Sequence, residues 1–168
     1  SDRVLDQIRR FNARYAGIGR ELEQDFPSRV IAAIGSKETI GQGEITRLMD
    51  QVRTRESEYQ ELGLLTEIQT RRVSLAIRDP SALLVLGIYL RDIERKLESL
   101  KQTAERLRIF IETLNSMLLF KKLKVTPDIG FQLVGSDGNT IPLRSLSSGE
   151  QHLIVLLGEI VFGSVESS

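Results

Sequence analysis

Leu83, Leu86, Leu90, Ile93, Leu97, Leu100, Ala104, Leu107, Ile111, Leu114 and Leu118 stand three and four residues apart without a slip, through five heptads. That spacing keeps an apolar side chain on one face of an α-helix at every turn. A single helix of about 38 residues would run ~57 Å at ~1.5 Å per residue, longer than a compact domain of this size normally holds, so it must lie along a partner. An earlier seam at Val4, Ile8, Phe11, Tyr15, Ile18, Leu22 and Phe26 is the expected mate, returning antiparallel. On the seams alone, a helical bundle core and a coiled coil stand equal.

The punctuation between these seams sets the remaining expectations. Phe26-Pro27-Ser28 is expected to end the first helix, with a short helix over 28–34 after it. Gly35, Gly41 and Gly43 loosen the chain, and Gly35-Ser36-Lys37 and Gly41-Gln42-Gly43 read as loops. A third seam follows at Ile45, Leu48, Val52, Arg55, Tyr59 and Leu62, weakened by its arginine, and Gly63 breaks it. A shorter helix is expected over 66–77, and Asp79-Pro80-Ser81 supplies a stop and a fresh start.

After Lys124 the period changes to two. Leu123 and Val125, Phe131 and Leu133, Ile141 and Leu143 read as strands, with Ser136-Asp137-Gly138-Asn139 as a hairpin turn. The last element, 150–162, is apolar around most of its circumference and is expected to be buried under a sheet or between layers. The fold class expected is α+β: a long antiparallel, coiled-coil-like helical region over 1–120, followed by a small lobe of strands and one helix over 121–168.

Composition removes several classes of function. Twenty-three basic and twenty-three acidic side chains among 168 residues cancel, so no global positive field marks a dedicated nucleic-acid binder. The basic candidates Arg9, Arg10, Arg71, Arg72, Arg91, Arg95, Lys96, Lys121, Lys122 and Lys124 have acidic neighbours and read as solvated helix faces, with nucleic acid kept as an alternative partner. Without cysteine, and with His152 as the one histidine, the chain has neither a disulfide framework nor the ligands of a structural zinc site, and no metal ligands are assigned. No stretch has the ~18–20 uncharged residues of a membrane helix, and the first ten residues are too charged for a signal peptide. A cytoplasmic protein with no membrane partner is expected. The opening without methionine and the closing Gly163-Ser164-Val165-Glu166-Ser167-Ser168 read as the cut ends of a longer protein.

The stretch "LRSLSSGEQHLIVLLGEIVFG" sets Ser147, Ser148 and Gly149 against the start of the last helix. There the first amides have no intrahelical partner and the helix dipole places about half a positive charge, so a hydroxyl, a glycine and free amides suit a phosphate oxygen. Glu150 suits the dipole and would repel a phosphate beside it. The plainer reading of such a stretch is an ordinary N-cap with an acidic first turn.

The flanking residues bear on that choice. Leu146-Ser147-Ser148-Gly149-Glu150-Gln151 resembles the signature of ABC-type ATPases, usually Leu-Ser-Gly-Gly followed by Gln or Glu, in the branch containing the structural-maintenance-of-chromosomes, RecF, RecN and overcoming-lysogeny-defect proteins. The stretch 115–162, from "NSMLLFKKLKV" through a hairpin to "LSSGEQHLIVLLGEIVF", is similar to small ATPases of this branch, several of them in bacterial anti-phage defence. The resemblance covers about the last fifty residues; before them only helical character matches.

The resemblance implies ATP and Mg²⁺ as cofactors, bound mainly by parts of the lobe outside this chain, and a phosphate contact made in trans across an ATP-sandwiched dimer. By position, Ser147 gives its hydroxyl to the γ-phosphate and Gly149 its backbone N–H. Ser148 stands where the common pattern has glycine, Glu150 shapes the turn and the dimer face, and Gln151 completes the motif. His152, one step further in, is read as structural. No Gly-x-x-x-x-Gly-Lys-Ser/Thr occurs, and no apolar strand ending in Asp-Glu follows Phe162, so this chain by itself is not expected to hydrolyse ATP and no catalytic residue is assigned to it. Self-association through the ATPase head is implied, as is an effector such as a nuclease or toxin, in anti-phage defence, DNA repair or chromosome organisation. The competing reading is a non-enzymatic helical interaction module or DNA-binding coiled-coil scaffold with a well-capped last helix.

Overall fold

The computed structural model describes residues 2–126 and 129–163, without the side chains of residues 2–4 and 7. The side chain of Val4, a member of the first seam, and the closing segment 164–168 lie outside what is described. Among those described, the chain is α+β. Its helices are α1 (Asp2–Gly35), α2 (Gln42–Glu61), α3 (Pro80–Glu98), α4 (Lys101–Met117) and α5 (Ser148–Phe162). One antiparallel sheet is formed by β1 (Lys121–Thr126), β2 (Gly130–Gly135) and β3 (Thr140–Ile141), in that order. The chain divides into two compact units, one of residues 13–58 and 67–100, the other of 1–12, 59–66 and 101–168.

The first unit is helical. Asp79 caps α3 by accepting from the Ala82 amide at 2.9 Å, with Pro80 in the first turn where its missing N–H costs nothing, as the stop-and-start reading requires. Ile45, Met49, Val52, Leu90, Ile93 and Leu97 are fully buried or nearly so. A Cβ on Gly87 would stand 2.7 Å from Ile40 Cδ1, so glycine lets α3 come close to its neighbour. Directions follow from side-chain pairs. Glu44 meets Arg91 and Arg55 meets Glu98, so α2 runs parallel to α3. Arg29 meets Asp92 and the Lys96 ammonium sits 5.4 Å from the Tyr15 ring centre, so α1 returns antiparallel to α3.

Two expectations fail in this unit. Pro27 does not end α1; the helix runs through it. Proline removes one backbone donor and disturbs the carbonyls a turn earlier. Two residues on, the Arg29 guanidinium donates to Leu22 O at 2.9 Å and holds Asp92 Oδ2 at 2.7 Å, which ties this stretch of α1 to α3. Nor is 66–77 a helix. It forms one 3-10 turn, Gln69–Arg72, and then an extended strap.

Side chains of α2 satisfy the strap's backbone in place of helical bonds. Buried Glu56 accepts from the Gln69 amide, the Thr70 amide and the Thr70 hydroxyl at 3.1, 3.4 and 2.7 Å. Arg53 donates to Thr70 O and Val73 O, and Gln42 to Leu75 O. The alternating Val73, Leu75 and Ile77 then pack on the helical core. Gln42 and Gly43, read as loop, belong to the first turn of α2.

The long stripe is buried throughout except at half-buried Ile111. It is carried by two helices rather than one. Ser99 Oγ donates to Lys96 O, and the Leu100 amide turns to Leu97 O at 3.0 Å, which closes α3 before α4 begins.

The second unit packs α4 and α5 with the sheet. Phe110, fully buried, meets the Phe131 ring at 5.9 Å and the Phe162 ring at 5.7 Å, the latter nearly edge-on. In β1, Leu123 and Val125 face inward while Lys122 and Lys124 face solvent; Leu123 opposes Leu133, which opposes Ile141. The outer edge of β1 is closed by Asn115, which accepts from the Leu123 amide at 2.7 Å and donates to its carbonyl at 3.2 Å. The Ser136–Asn139 turn forms as expected: Gly138 takes φ +81°, and Asp137 accepts from the backbone and side-chain nitrogens of Asn139.

Leu143 departs from the expected strand. Pro142 cannot donate to a ladder, so pairing stops at Ile141 and the chain enters a 3-10 turn over Leu143–Ser145. Helix α5 departs too. Ile154, Gly158 and Phe162 are buried, while Val155, Leu156 and Ile160 stay more than half exposed. The described residues cover one side of this helix only.

Gly63 gives the fold a sharp test. It sits at φ +75°, and a Cβ there would lie 2.2 Å from Val125 O. The left-handed backbone alone costs a non-glycine residue ~1–2 kcal/mol, and the overlap with the strand adds to it. Gly63→Ala is expected to lower unfolding free energy by at least about 2 kcal/mol in urea titration; an unchanged midpoint would contradict the placement of this turn against β1.

Candidate functional site

The turn that opens α5 is built outward from Leu146, which is buried and whose amide closes the preceding 3-10 turn on Leu143 O at 3.2 Å. Ser147 follows with extended backbone, φ −63° and ψ 160°, the geometry of an N-cap. Its hydroxyl oxygen accepts from the Glu150 amide at 3.2 Å, and Glu150 Oε2 accepts from the Ser147 amide at 2.8 Å, a reciprocal capping box. Two of the helix's orphan amides remain, those of Ser148 and Gly149, and they find no acceptor among the described residues. The Ser147 hydroxyl proton is likewise uncommitted, because its oxygen acts only as acceptor within the turn.

The five consecutive residues of the expected site divide by role. Ser147, Ser148 and Gly149 are exposed, with two hydroxyls and the two uncommitted amides among them. Space beside Gly149 is open: a Cβ there would meet nothing closer than Ser147 Oγ at 4.0 Å. Glu150 and Gln151 bond back into the turn, Gln151 donating from its side chain to Leu146 O at 3.2 Å. His152 Nδ1 lies 2.7 Å from Ser148 O; a carbonyl can only accept, so this nitrogen carries the proton and the ring braces the first turn.

One residue of the turn was invisible to motif reading. Lys121, at the start of β1, donates to both Glu150 oxygens, at 3.0 and 2.8 Å, and approaches Ser145 O at 3.4 Å. The two side chains are each about one-fifth exposed, at 22% and 20%. The Lys121 hydrogen bond, followed by that from the Ser147 amide, holds the Glu150 carboxyl below its usual value of 4.5. Twenty-nine residues separate Lys121 from Glu150, and no local spacing rule joins a strand lysine to a helix N-terminus.

Some of the other candidate cations are paired too, two on the surface and one in the core. Arg91 pairs with Glu44, Arg9 with Asp6, and Lys96 is buried against Gln69 and Tyr15. Burial pushes the Lys96 amine down, against the pull of Glu23, Asp92 and Glu56. Among the described residues no group of three or more His, Cys, Asp or Glu could hold a metal ion, and no helix is long and apolar enough to cross a membrane. No protein-family model matches the chain, and no curated protein matches it.

The capping box makes two measurements decisive. Ser147→Ala removes one acceptor from an exposed helix end and is expected to cost about 1 kcal/mol in urea unfolding. Glu150, with its pKa lowered by folding, contributes fully above its unfolded value of 4.5 and loses that contribution as pH falls through the lower folded value. Glu150→Gln should therefore flatten the acid limb of the stability curve below about pH 4.5; an acid limb identical to wild type would show that the carboxylate pairing does not form.

Proposed function

We propose that this chain is the helical and signature part of an ABC-type ATPase, whose Ser147 to Gln151 turn grips the γ-phosphate of ATP held by a neighbouring copy. The observation that carries the reading is the pattern of spent and unspent groups in the turn. The hydroxyl of Ser147 and the amides of Ser148 and Gly149 point outward at the positive end of α5, while Glu150 and Gln151 are used to hold them there. An ordinary cap needs the serine and the glutamate. It does not need a glycine where a Cβ would meet open space.

In this reading ATP and Mg²⁺ are held mainly by the lysine loop and carboxylates carried elsewhere in the parent polypeptide. This chain supplies the trans contact, and nucleotide-dependent closure of two copies is passed to the helices. Ser148 in the position of the first signature glycine narrows the approach by one hydroxymethyl, and its exposure leaves that group free to turn aside. The defence setting rests on the likeness of residues 115–162 to small ATPases of that kind, with a nuclease or toxin as the effector such machines drive.

Ser147→Arg in the intact polypeptide tests the site. It places a long cationic side chain where the γ-phosphate would sit while leaving the buried core untouched. The expected result is loss of ATP-dependent dimerisation in multi-angle light scattering, with an unchanged circular dichroism spectrum. Dimerisation that persists at wild-type ATP concentrations would leave α5 as a well-capped helix of an interaction module.

A further inference from the structure

We infer that Lys121 is a positioning residue of this same turn, cancelling the Glu150 charge so that a helix start built around a carboxylate can accept a phosphate. The inference rests on the phosphate-gripping reading above. A glutamate at the third helical position completes the capping box, and its carboxylate sits one turn from the amides a phosphate must reach. Left uncompensated, that negative charge would oppose the ligand the turn is shaped for. Lys121 removes the conflict: its ammonium bridges both carboxylate oxygens, at 3.0 and 2.8 Å, and also touches Ser145 O, the carbonyl two residues before the cap.

The lysine is set from outside the turn. It begins β1, its register is fixed opposite Gly135, and the strand is tied at Leu123 to Asn115 of α4. Its placement is therefore inherited from the sheet and α4. A lysine of the same charge at Lys122 or Lys124 points to the solvent face of the strand and makes no such contact among the described residues. The arrangement also explains why Lys121 reads as one of a basic run in sequence and yet differs from the other two in space.

The test is a double-mutant cycle in the intact polypeptide, read as ATP-dependent dimerisation. Lys121→Gln leaves the Glu150 carboxylate unpaired and is expected to weaken dimerisation about tenfold, since an opposed charge a few ångströms from a phosphate in a partly screened site costs on that order. Glu150→Gln keeps the capping hydrogen bonds, because glutamine serves equally at that position, and removes the charge. Lys121→Gln with Glu150→Gln should then restore dimerisation to within about threefold of wild type. If the bridge served the fold alone, the second substitution would not rescue the first.

Ser147→Arg run beside them separates the two claims. Loss of dimerisation in Ser147→Arg with no effect of Lys121→Gln would overturn the role given to Lys121 and leave the site standing. No effect of Ser147→Arg would remove the site itself. Failure of the double variant to recover, with both proteins folded by circular dichroism, would equally overturn charge cancellation.

Discussion

Burial of one apolar stripe is the constraint on which the architecture depends. From Leu83 to Leu118 the three-four spacing puts a large side chain inward at nearly every turn, and Leu90, Leu97, Leu107 and Leu114 lose all contact with water. The stripe's first part closes the core of the helical unit, against α1 and α2. Its second part closes the core of the other unit, where Phe110 adds a ring to the same face and meets Phe131 and Phe162. A single pattern thus serves two cores, and a serine hydroxyl competing for the carbonyl of Lys96 marks the change from one helix to the next.

A second principle recurs wherever the chain leaves regular structure: polar side chains take over backbone groups that no ladder satisfies. Glu56, Arg53 and Gln42 do so for the strap, and Asn115 for the edge of β1. These bonds matter because the groups they satisfy are buried or partly buried, where an unpaired amide costs more than a hydrogen bond gains. Glu56 is nearly inaccessible and carries two such bonds and a third from the Thr70 hydroxyl, so the strap is held by one carboxylate as much as by Val73, Leu75 and Ile77.

The same economy shapes the turn before α5. Its acid completes the cap, a strand lysine neutralises the acid, and what remains unspent is two hydroxyls and two amides. On the proposed reading, an anion held by a hydroxyl and backbone amides would need little cationic charge beside it, in keeping with a chain whose basic and acidic residues are equal in number. The apolar residues left exposed on α5, Val155, Leu156 and Ile160, follow from the described elements lying on one side of that helix.

Periodicity alone determined much of this protein. The two helical seams, the change to alternation after Lys124, the Asp79-Pro80 start, the Ser136–Asn139 turn and the capped opening of α5 are all local patterns, in which each residue's neighbours along the chain set its conformation. Tertiary structure decided the rest, where partners far apart in sequence outbid local preference. Helix α1 continues past Pro27 and is held to α3 there by Arg29 on Asp92; residues 66–77 were drawn out of a helix by Glu56, Arg53 and Gln42; and Lys121 found Glu150 only because the sheet brings it there. In each case the deciding interaction joins residues whose separation along the chain carries no periodic signature.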